Sequence, residues 1–183
     1  LVLTTAGGWG VVTADAVTSH PDLTLTALPE DLLVAVDAML PPRWSRNNPV
    51  DLAGGETRDT IPELLDLVAA HPGIDSILQL GLGIQGNTAA LTRRGPFHPD
   101  HGLERIVDYH ERQERRYAEA AAAASATHSK PILVASELAV AQPDNPMVTA
   151  VRESGRLCYA SADRAVAALG HMAWYAAWLR ARS

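Results

Sequence analysis

Strand and helix signals alternate along the whole chain, and this alternation is the feature that most limits its fold. Five strands are predicted from short apolar or alternating runs at 1–4, 23–28, 74–80, 131–135 and 157–159. The segments between them repeat apolar residues every three to four positions, as the buried face of a helix does. Such alternation favours an α/β fold. We therefore predict a five-stranded parallel sheet of flavodoxin-like order 2-1-3-4-5 with helices on both faces.

The predicted helices begin at residues that suit a helix N-terminus. They cover about 9–19, 29–40, 57–70, 103–126 and 161 to the C-terminus. Pro29 suits the first turn, and Thr57 and Ser161 can cap the helices that follow them. In the long helix, Asp108/Arg112 and Glu111/Arg115 are spaced for i,i+4 ion pairs. The stretch 41–55 is predicted as a loop because it is rich in Pro, Asn and Gly.

Composition limits the protein class. The 183 residues are 47% hydrophobic and 20% charged, which fits one ordered domain and excludes general disorder. A net charge of −6 argues against binding to nucleic acid or an anionic membrane, and the lone Cys158 excludes an internal disulfide.

No signal peptide or membrane-spanning run is evident, so we expect a cytoplasmic protein. Abundant alanine and a single lysine suggest a bacterial source. The chain starts within a strand at Leu1, and we expect it to be a piece of a larger enzyme.

A glycine-rich turn follows the first predicted strand. In Thr5-Ala6-Gly7-Gly8-Trp9-Gly10, adjacent glycines let backbone N–H groups approach an anion at the N-terminus of a helix. A tight turn that needs positive φ explains the same glycines equally well. The lysine of a Walker A motif is absent, which argues against nucleotide hydrolysis of that type.

A second glycine motif, Gly81-Leu82-Gly83-Ile84-Gln85-Gly86, follows the third predicted strand. Its G-x-G-x-x-G spacing is that of a dinucleotide site, but Pro96 and Pro99 interrupt the helix that such a site needs. A flexible loop is the favoured interpretation. In the order 2-1-3-4-5, both glycine turns lie at the topological switch point, where a ligand is expected.

Other polar groups give weaker signals. Asn48-Pro49-Val50-Asp51 can brace a site or form an ordinary turn. His98, His101 and His110 are metal-ligand types without a convincing further ligand, so we predict no metal site. Cys158 is expected to be a small buried group. Trp174 and Trp178 are expected to pack, one helical turn apart, against a neighbouring element.

In order and spacing, several of these residues resemble the ADP-forming acyl-CoA synthetase family. They are Thr5-Ala6-Gly7-Gly8-x-Gly10, Ala14-Asp15, Asn48-Pro49-Val50-Asp51-Leu52, Lys130-Pro131 and the stretch from Ser161 to Leu169. The region concerned is the flavodoxin-like ligase domain, related to the C-terminal domain of the succinyl-CoA synthetase beta subunit. Members join a carboxylic acid to coenzyme A through an acyl phosphate and a phosphohistidine.

The resemblance implies that the first glycine turn forms one wall of a phosphohistidine site. The residues expected to bind phosphate are Ala6, Gly7, Gly8, Trp9 and Gly10. Those expected to support them are Thr5, Asn48, Asp51, Gly83 and Gln85. The whole enzyme is implied to use ATP, magnesium and coenzyme A, with coenzyme-A-binding and ATP-grasp domains as partners. None of these cofactors is expected to be held by this domain alone.

Three departures from the family pattern qualify these expectations. The phosphorylated histidine belongs to a neighbouring domain, so no catalytic residue is expected here and the isolated domain should be inactive. Trp9 stands where proline is common, and the stretch 81–127 is longer than usual, so we expect substrate choice to differ from the acetate and succinate enzymes.

An alternative function is ligand sensing in a protein acetyltransferase fusion. A free-standing flavin or nucleotide binder is a third.

Overall fold

Five parallel strands form the centre of the computed structural model, which describes residues 1–55 and 57–182. The strands are β1 (Val2–Thr4), β2 (Val50–Asp51), β3 (Ile77–Leu80), β4 (Ile132–Ala135) and β5 (Cys158–Tyr159). They pair in the order β2-β1-β3-β4-β5. The predicted fold class and strand order are therefore confirmed.

Helices cover both faces of this sheet. They are α1 (Gly7–Thr18), α2 (Glu30–Met39), α3 (Thr60–Ala70), α4 (Ile84–Arg93), α5 (Leu103–His128), α6 (Leu138–Ala141), α7 (Pro146–Glu153) and α8 (Ala162–Arg180). On one face, Leu3, Ile77 and Val134 pack in a core with residues of α2, α3, α5 and α7. On the other face, Val2 and Leu78 pack with α1 and α8. Alternate strand residues thus point to opposite layers. None of the described helices is both long and apolar enough to cross a bilayer.

The predicted second strand is wrong. Residues 23–28 form no strand, and β2 is Val50–Asp51, inside the stretch predicted as a loop. Leu23 and Leu25 are half-buried against the core on the α1 side, so their alternation reflects packing and not pairing. Strand β2 instead pairs with β1, Val50 opposite Leu3.

Each of the five predicted helices is present among the described residues. The long helix is confirmed as α5, and Ser161 caps α8 by accepting a hydrogen bond from the Arg164 N–H. Thr57 does not cap a helix; α3 begins at Thr60, whose hydroxyl bonds that of Thr57 at 2.8 Å. Residues 84–93, predicted as part of a flexible loop, form α4 instead. The short helices α6 and α7 were not predicted.

One of the two predicted ion pairs in α5 is present. Asp108 and Arg112 lie 3.9 Å apart. The predicted Glu111/Arg115 pair is wrong because each has a partner on another helix. Glu111 bonds Arg93 of α4 at 2.6 Å, and Arg115 bonds Glu153 of α7 at 2.6 Å. These longer-range pairs tie α5 to its two neighbours.

Candidate functional site

The two glycine turns meet at the carboxyl edge of the sheet. Strands β1 and β3 are neighbours, so the residues that follow them, Thr5 and Gly81, lie side by side. The Thr5 hydroxyl donates to the carbonyl oxygen of Gly81 at 2.8 Å. A Cβ atom on Gly81 would lie only 2.2 Å from Thr5 Oγ1, and Gly81 has a φ of +78°. The contact between the turns therefore requires glycine at this position.

The first turn leads directly into α1. Ala6 is the N-cap residue, in extended conformation, and no side chain caps the helix. The N–H groups of Trp9 and Gly10 return to the Ala6 carbonyl oxygen, at 3.1 and 3.4 Å. The N–H groups of Gly7 and Gly8 donate to no acceptor within residues 1–55 and 57–182, and both glycines are exposed. Two open N–H donors and the positive end of the helix dipole make this a place where an anion is stabilised.

The end of β2 braces this turn. A Cβ atom on Gly7 would lie 2.6 Å from Asp51 Oδ2, so the glycine allows the Asp51 carboxylate to approach the start of α1. Asp51 Oδ1 in turn accepts from the Ala53 N–H at 3.0 Å. A Cβ atom on Gly10 would lie 3.1 Å from Thr4 Cγ2 and 3.2 Å from Pro49 Cβ. Gly7 and Gly10 thus allow α1 to pack closely against the strand ends.

Asn48 supports the same region from behind. Its side chain is buried, its Oδ1 accepts from the Val2 N–H at 2.9 Å, and its Nδ2 donates to the Thr26 carbonyl oxygen at 2.8 Å. These bonds join the loop before β2 to the start of β1 and to the segment after α1. Asn48 therefore holds the scaffold on which the turn is built.

The second turn is built differently because a side chain already occupies the start of its helix. The buried carboxylate of Glu114, on α5, accepts from the Gly83 N–H at 2.7 Å and from the Gln85 N–H at 2.8 Å. Asn145 Nδ2 donates to the Gly83 carbonyl oxygen at 3.0 Å. The N-terminus of α4 thus has an internal anion, which satisfies the two N–H groups that an incoming phosphate would need.

A small cavity of about 210 Å³ lies between the two turns. It is lined by Thr5, Ile61, Gly81, Leu82, Ile84, Gln85, Glu114 and Tyr117. A larger cavity of about 750 Å³ lies near the opposite edge, beside Leu1, Ser76, Pro131 and the second half of α8. The small cavity shares Thr5 with the first turn, and we take it as part of the candidate site.

The residues predicted for the site fall into three groups. Ala6, Gly7, Gly8, Trp9 and Gly10 form the first turn and the start of α1. Thr5, Gly83 and Gln85 line or adjoin the cavity, and Asp51 touches the first turn. Asn48 lies behind them. Phosphate binding by this set stays a prediction.

Sequence reasoning missed Glu114, which decides how the second turn behaves. It lies among alternating charges on α5, a pattern typical of a solvent-facing helix surface. One signal could have identified it. Tyr117, Ala118 and Ala121, at three, four and seven positions further on, are all buried. Glu114 therefore belongs to the inward face of α5.

The remaining candidate groups do not join this site. Within the part of the chain that the structure describes, no three His, Cys, Asp or Glu side chains come together as metal ligands. Burial raises the pKa of the Cys158 thiol to about 11, which makes it a poor nucleophile. Trp174 and Trp178 are 55% and 37% exposed on the second half of α8. The Trp178 ring stacks on Tyr175 of the same helix, with ring centroids 5.7 Å apart, and the Arg182 guanidinium lies 4.0 Å from its centroid.

Comparison with known proteins gives a family-model match for residues 1–86 and a similar fold over the whole chain. Residues 1–86 match the family model of the Ligase-CoA domain. No curated protein sequence matches the chain. This match agrees with the sequence-based resemblance over residues 1–86, and the structural similarities that follow show a shared fold.

Two solved structures of the dinucleotide-forming acetyl-coenzyme A synthetase 1 from Ca. Korarchaeum cryptofilum are similar over 100% of this chain. The apo form has 20% identity and a TM-score of 0.64, and the complex with phosphate and ADP has 22% and 0.63. A protein from Pyrococcus horikoshii OT3 is similar over 92% of the chain, with 20% identity and a TM-score of 0.64. Each match covers 33% of the solved chain, so this chain spans about a third of these structures.

Proposed function

We propose that this chain is the ligase domain of an ADP-forming acyl-CoA synthetase and that the start of α1 stabilises the phosphoryl group in transfer. The observation that carries the proposal is the open pair of N–H groups at Gly7 and Gly8, at the switch point of a chain that matches the Ligase-CoA domain over residues 1–86. The complete reaction joins a carboxylic acid and coenzyme A while ATP becomes ADP and phosphate.

Phosphoryl transfer suits a site that is formed by the start of α1. Phosphoryl transfer depends mainly on positioning and on stabilisation of negative charge, and oriented N–H donors supply both without rearrangement. Gly7 and Gly8 would donate to phosphoryl oxygens carried on a histidine from a neighbouring domain. Gly10 would keep α1 close to the strand ends, and Asn48 would hold the loop before β2, so that these donors hold their place. ATP, magnesium and coenzyme A would be bound by the other domains of the enzyme.

The experiment compares Gly8→Asp with Gly8→Asn in the enzyme that contains this chain. A Cβ atom on Gly8 meets nothing within 4 Å, so both side chains fit. An aspartate near the helix N-terminus should keep or raise folding stability, by up to about 1 kcal/mol. It would also repel phosphate, so we expect kcat for acyl-CoA formation to fall about 10²-fold, as when one catalytic hydrogen-bond donor is lost.

The asparagine variant is the matched control because it has the same shape without the charge. We expect it to keep kcat within about 10-fold of the parent enzyme, less than the loss of a donor costs. Equal activity of the aspartate variant and the parent would overturn the assignment of phosphate to this turn. No thioester from any carboxylic acid, with ATP and magnesium present, would overturn the ligase function itself.

A further inference from the structure

Helix α8 packs on the sheet with its first half only. Ala165, Val166, Leu169 and Gly170 are buried there, against the core on the α1 side. In the second half, none of residues 171–180 is buried. Most of the stability of a helix in a protein comes from the packing of an apolar face. The second half of α8 therefore lacks, within the described residues, the close packing that its first half has.

This second half exposes a group of large apolar side chains. Trp174 and Trp178 lie on the side of the helix opposite Ala165 and Leu169, because about 3.6 residues make one turn. Single exposed apolar residues are common, whereas a contiguous patch marks an interaction surface. We call this patch the α8 aromatic face, and its members, each between 37% and 55% exposed, are Met172, Trp174, Tyr175, Trp178 and Leu179.

Two rings of this face are already held in place. Tyr175 and Trp178 are stacked, with an angle of 18° between the ring planes and 5.7 Å between the centroids. The Arg182 guanidinium lies over the Trp178 ring, 4.0 Å from its centroid. Rings that are fixed beforehand lose less conformational freedom when a partner binds. Aromatic side chains of this kind are typical anchors of protein interfaces.

The chemistry of the face favours a second copy of this chain as its partner. A two-fold interface brings the same patch from both copies together, so any charge on it would face its like. Residues 165–179 contain no Asp, Glu, Lys or Arg, so this repulsion is absent. Interfaces between domains of one chain are more polar than this, whereas homodimer interfaces are enriched in apolar and aromatic groups.

The area of the face is sufficient for a dimer. At about 200 Å² for each large side chain, the exposed fractions correspond to about 500 Å² per copy. Two copies would bury about 1,000 Å², the lower limit for a specific interface. An interface of this size is expected to give a weak dimer, with a Kd on the order of 10 μM.

We propose that two copies of this chain associate through their α8 aromatic faces, with Tyr175 and Trp178 near the centre. This inference is independent of the proposed ligase function. The second half of α8 lies beside Leu1, Ser76 and Pro131, which precede β1, β3 and β4. The dimer would therefore form at the amino edge of the sheet and leave the two glycine turns, at the carboxyl edge, accessible.

Sedimentation velocity of this chain tests the proposal between about 1 μM and 1 mM, a range that spans the expected Kd. We expect a dimer whose fraction increases with concentration. Trp178→Ala should raise Kd at least about 30-fold, as the loss of an interface anchor does. Phe97→Ala is the matched control, because Phe97 is an aromatic residue, 65% exposed, outside the α8 aromatic face. Its Kd should equal that of the parent chain, and circular dichroism checks that both variants fold.

Two charged variants at Trp174 test whether the face meets its own copy. Trp174→Glu and Trp174→Arg should each prevent dimer formation, because like charges then face each other across the two-fold axis. An equimolar mixture of the two variants should form a mixed dimer, since the charges are then opposite. A mixture that stays monomeric at 1 mM would contradict the proposed packing of like face on like face.

Three further results would overturn the proposal. One is a chain that remains monomeric at 1 mM. Another is a dimer whose Kd does not change in Trp178→Ala, because a different surface then forms the interface. The third comes from hydroxyl-radical footprinting of the enzyme that contains this chain. Protection of Trp174 and Trp178 in a monomeric enzyme would show that another part of that enzyme covers the face.

Discussion

The two glycine turns have similar sequences and neighbouring positions, yet they differ in what they leave open. Each follows a parallel strand and leads into a helix at the carboxyl edge of the sheet. At the first turn, the Gly7 and Gly8 N–H groups have no acceptor within residues 1–55 and 57–182. At the second, Glu114 accepts from Gly83 and Gln85. The N–H donors of the first turn are open although the Asp51 carboxylate lies beside Gly7, whereas those of the second turn are taken by Glu114.

This difference shows why a glycine motif alone does not define an anion site. The N-terminus of a helix stabilises any negative charge, whether it belongs to a ligand or to a side chain. Glu114 lies 31 positions after Gly83, so local sequence around the second turn contains no sign of it. A residue distant in sequence thus decides which of the two turns remains available.

The largest effect is expected where the two turns touch. Gly81→Ala would place a Cβ atom 2.2 Å from Thr5 Oγ1 and 3.0 Å from Thr5 N, at a φ of +78°. Left-handed strain and overpacking together should lower the free energy of unfolding by about 3–4 kcal/mol. Urea denaturation measures this change.

Gly102→Ala is the matched control for the strain alone. Gly102 has a φ of +77°, but a Cβ atom there meets nothing within 4 Å. We expect a loss of about 1–2 kcal/mol, the cost of the left-handed conformation. Equal losses at the two positions would mean that the contact between the turns contributes nothing.

The next effect concerns the internal anion. In Glu114→Gln the side chain can still accept one N–H, but its own NH₂ group then faces the other donor inside the protein. We expect the free energy of unfolding to fall by about 2 kcal/mol, the cost of a buried group without a partner. The control is Glu119→Gln on the same helix, because Glu119 is exposed and 3.7 Å from Arg115. That change should cost less than about 0.5 kcal/mol, and a similar cost for both would show that Glu114 does not hold the second turn.

Two smaller effects on stability, opposite in sign to each other, are expected within the first turn. Gly7→Ala must displace the Asp51 carboxylate, which would lie 2.6 Å from the new Cβ atom, and so weaken its bond to Ala53. The loss should be about 1 kcal/mol. Gly8→Ala meets nothing and replaces glycine within a helix, so it should gain about 0.5–1 kcal/mol. Thermal unfolding of both variants tests the signs; a loss at Gly8 would mean that its neighbourhood is less open than described.

Sequence reasoning was sufficient for the architecture and for the positions of the two turns. Alternating strand and helix signals predicted the parallel sheet and its order, because these depend on local periodicity and on connection rules. The position of the second strand could not be predicted in the same way. Val50–Asp51 is two residues long, too short to show a period, and 23–28 alternates only because Leu23 and Leu25 pack against the core.

What the sequence could not supply was the set of contacts between distant elements. Helix α4 begins with Ile84 and has Gly86, Asn87 and Thr88 near its start, and residues of these types disfavour helix. Its start is stabilised by Glu114 of α5, and Asn145, just before α7, bonds the adjoining Gly83 carbonyl oxygen. Such contacts depend on how α5 and α7 pack, which no local pattern encodes.

The smallest expected effect distinguishes the two turns most directly. Inorganic phosphate should shift the amide resonances of Gly7 and Gly8 in a titration of this chain and leave those of Gly83 and Gln85 in place. At a phosphate concentration equal to Kd, binding should stabilise the fold by only about 0.4 kcal/mol. In Glu114→Gln the second pair of amides should begin to respond as well, because their internal anion is gone. Shifts that spare Gly7 and Gly8, or that appear equally at both turns in the parent chain, would contradict the assignment of the open anion site to the first turn.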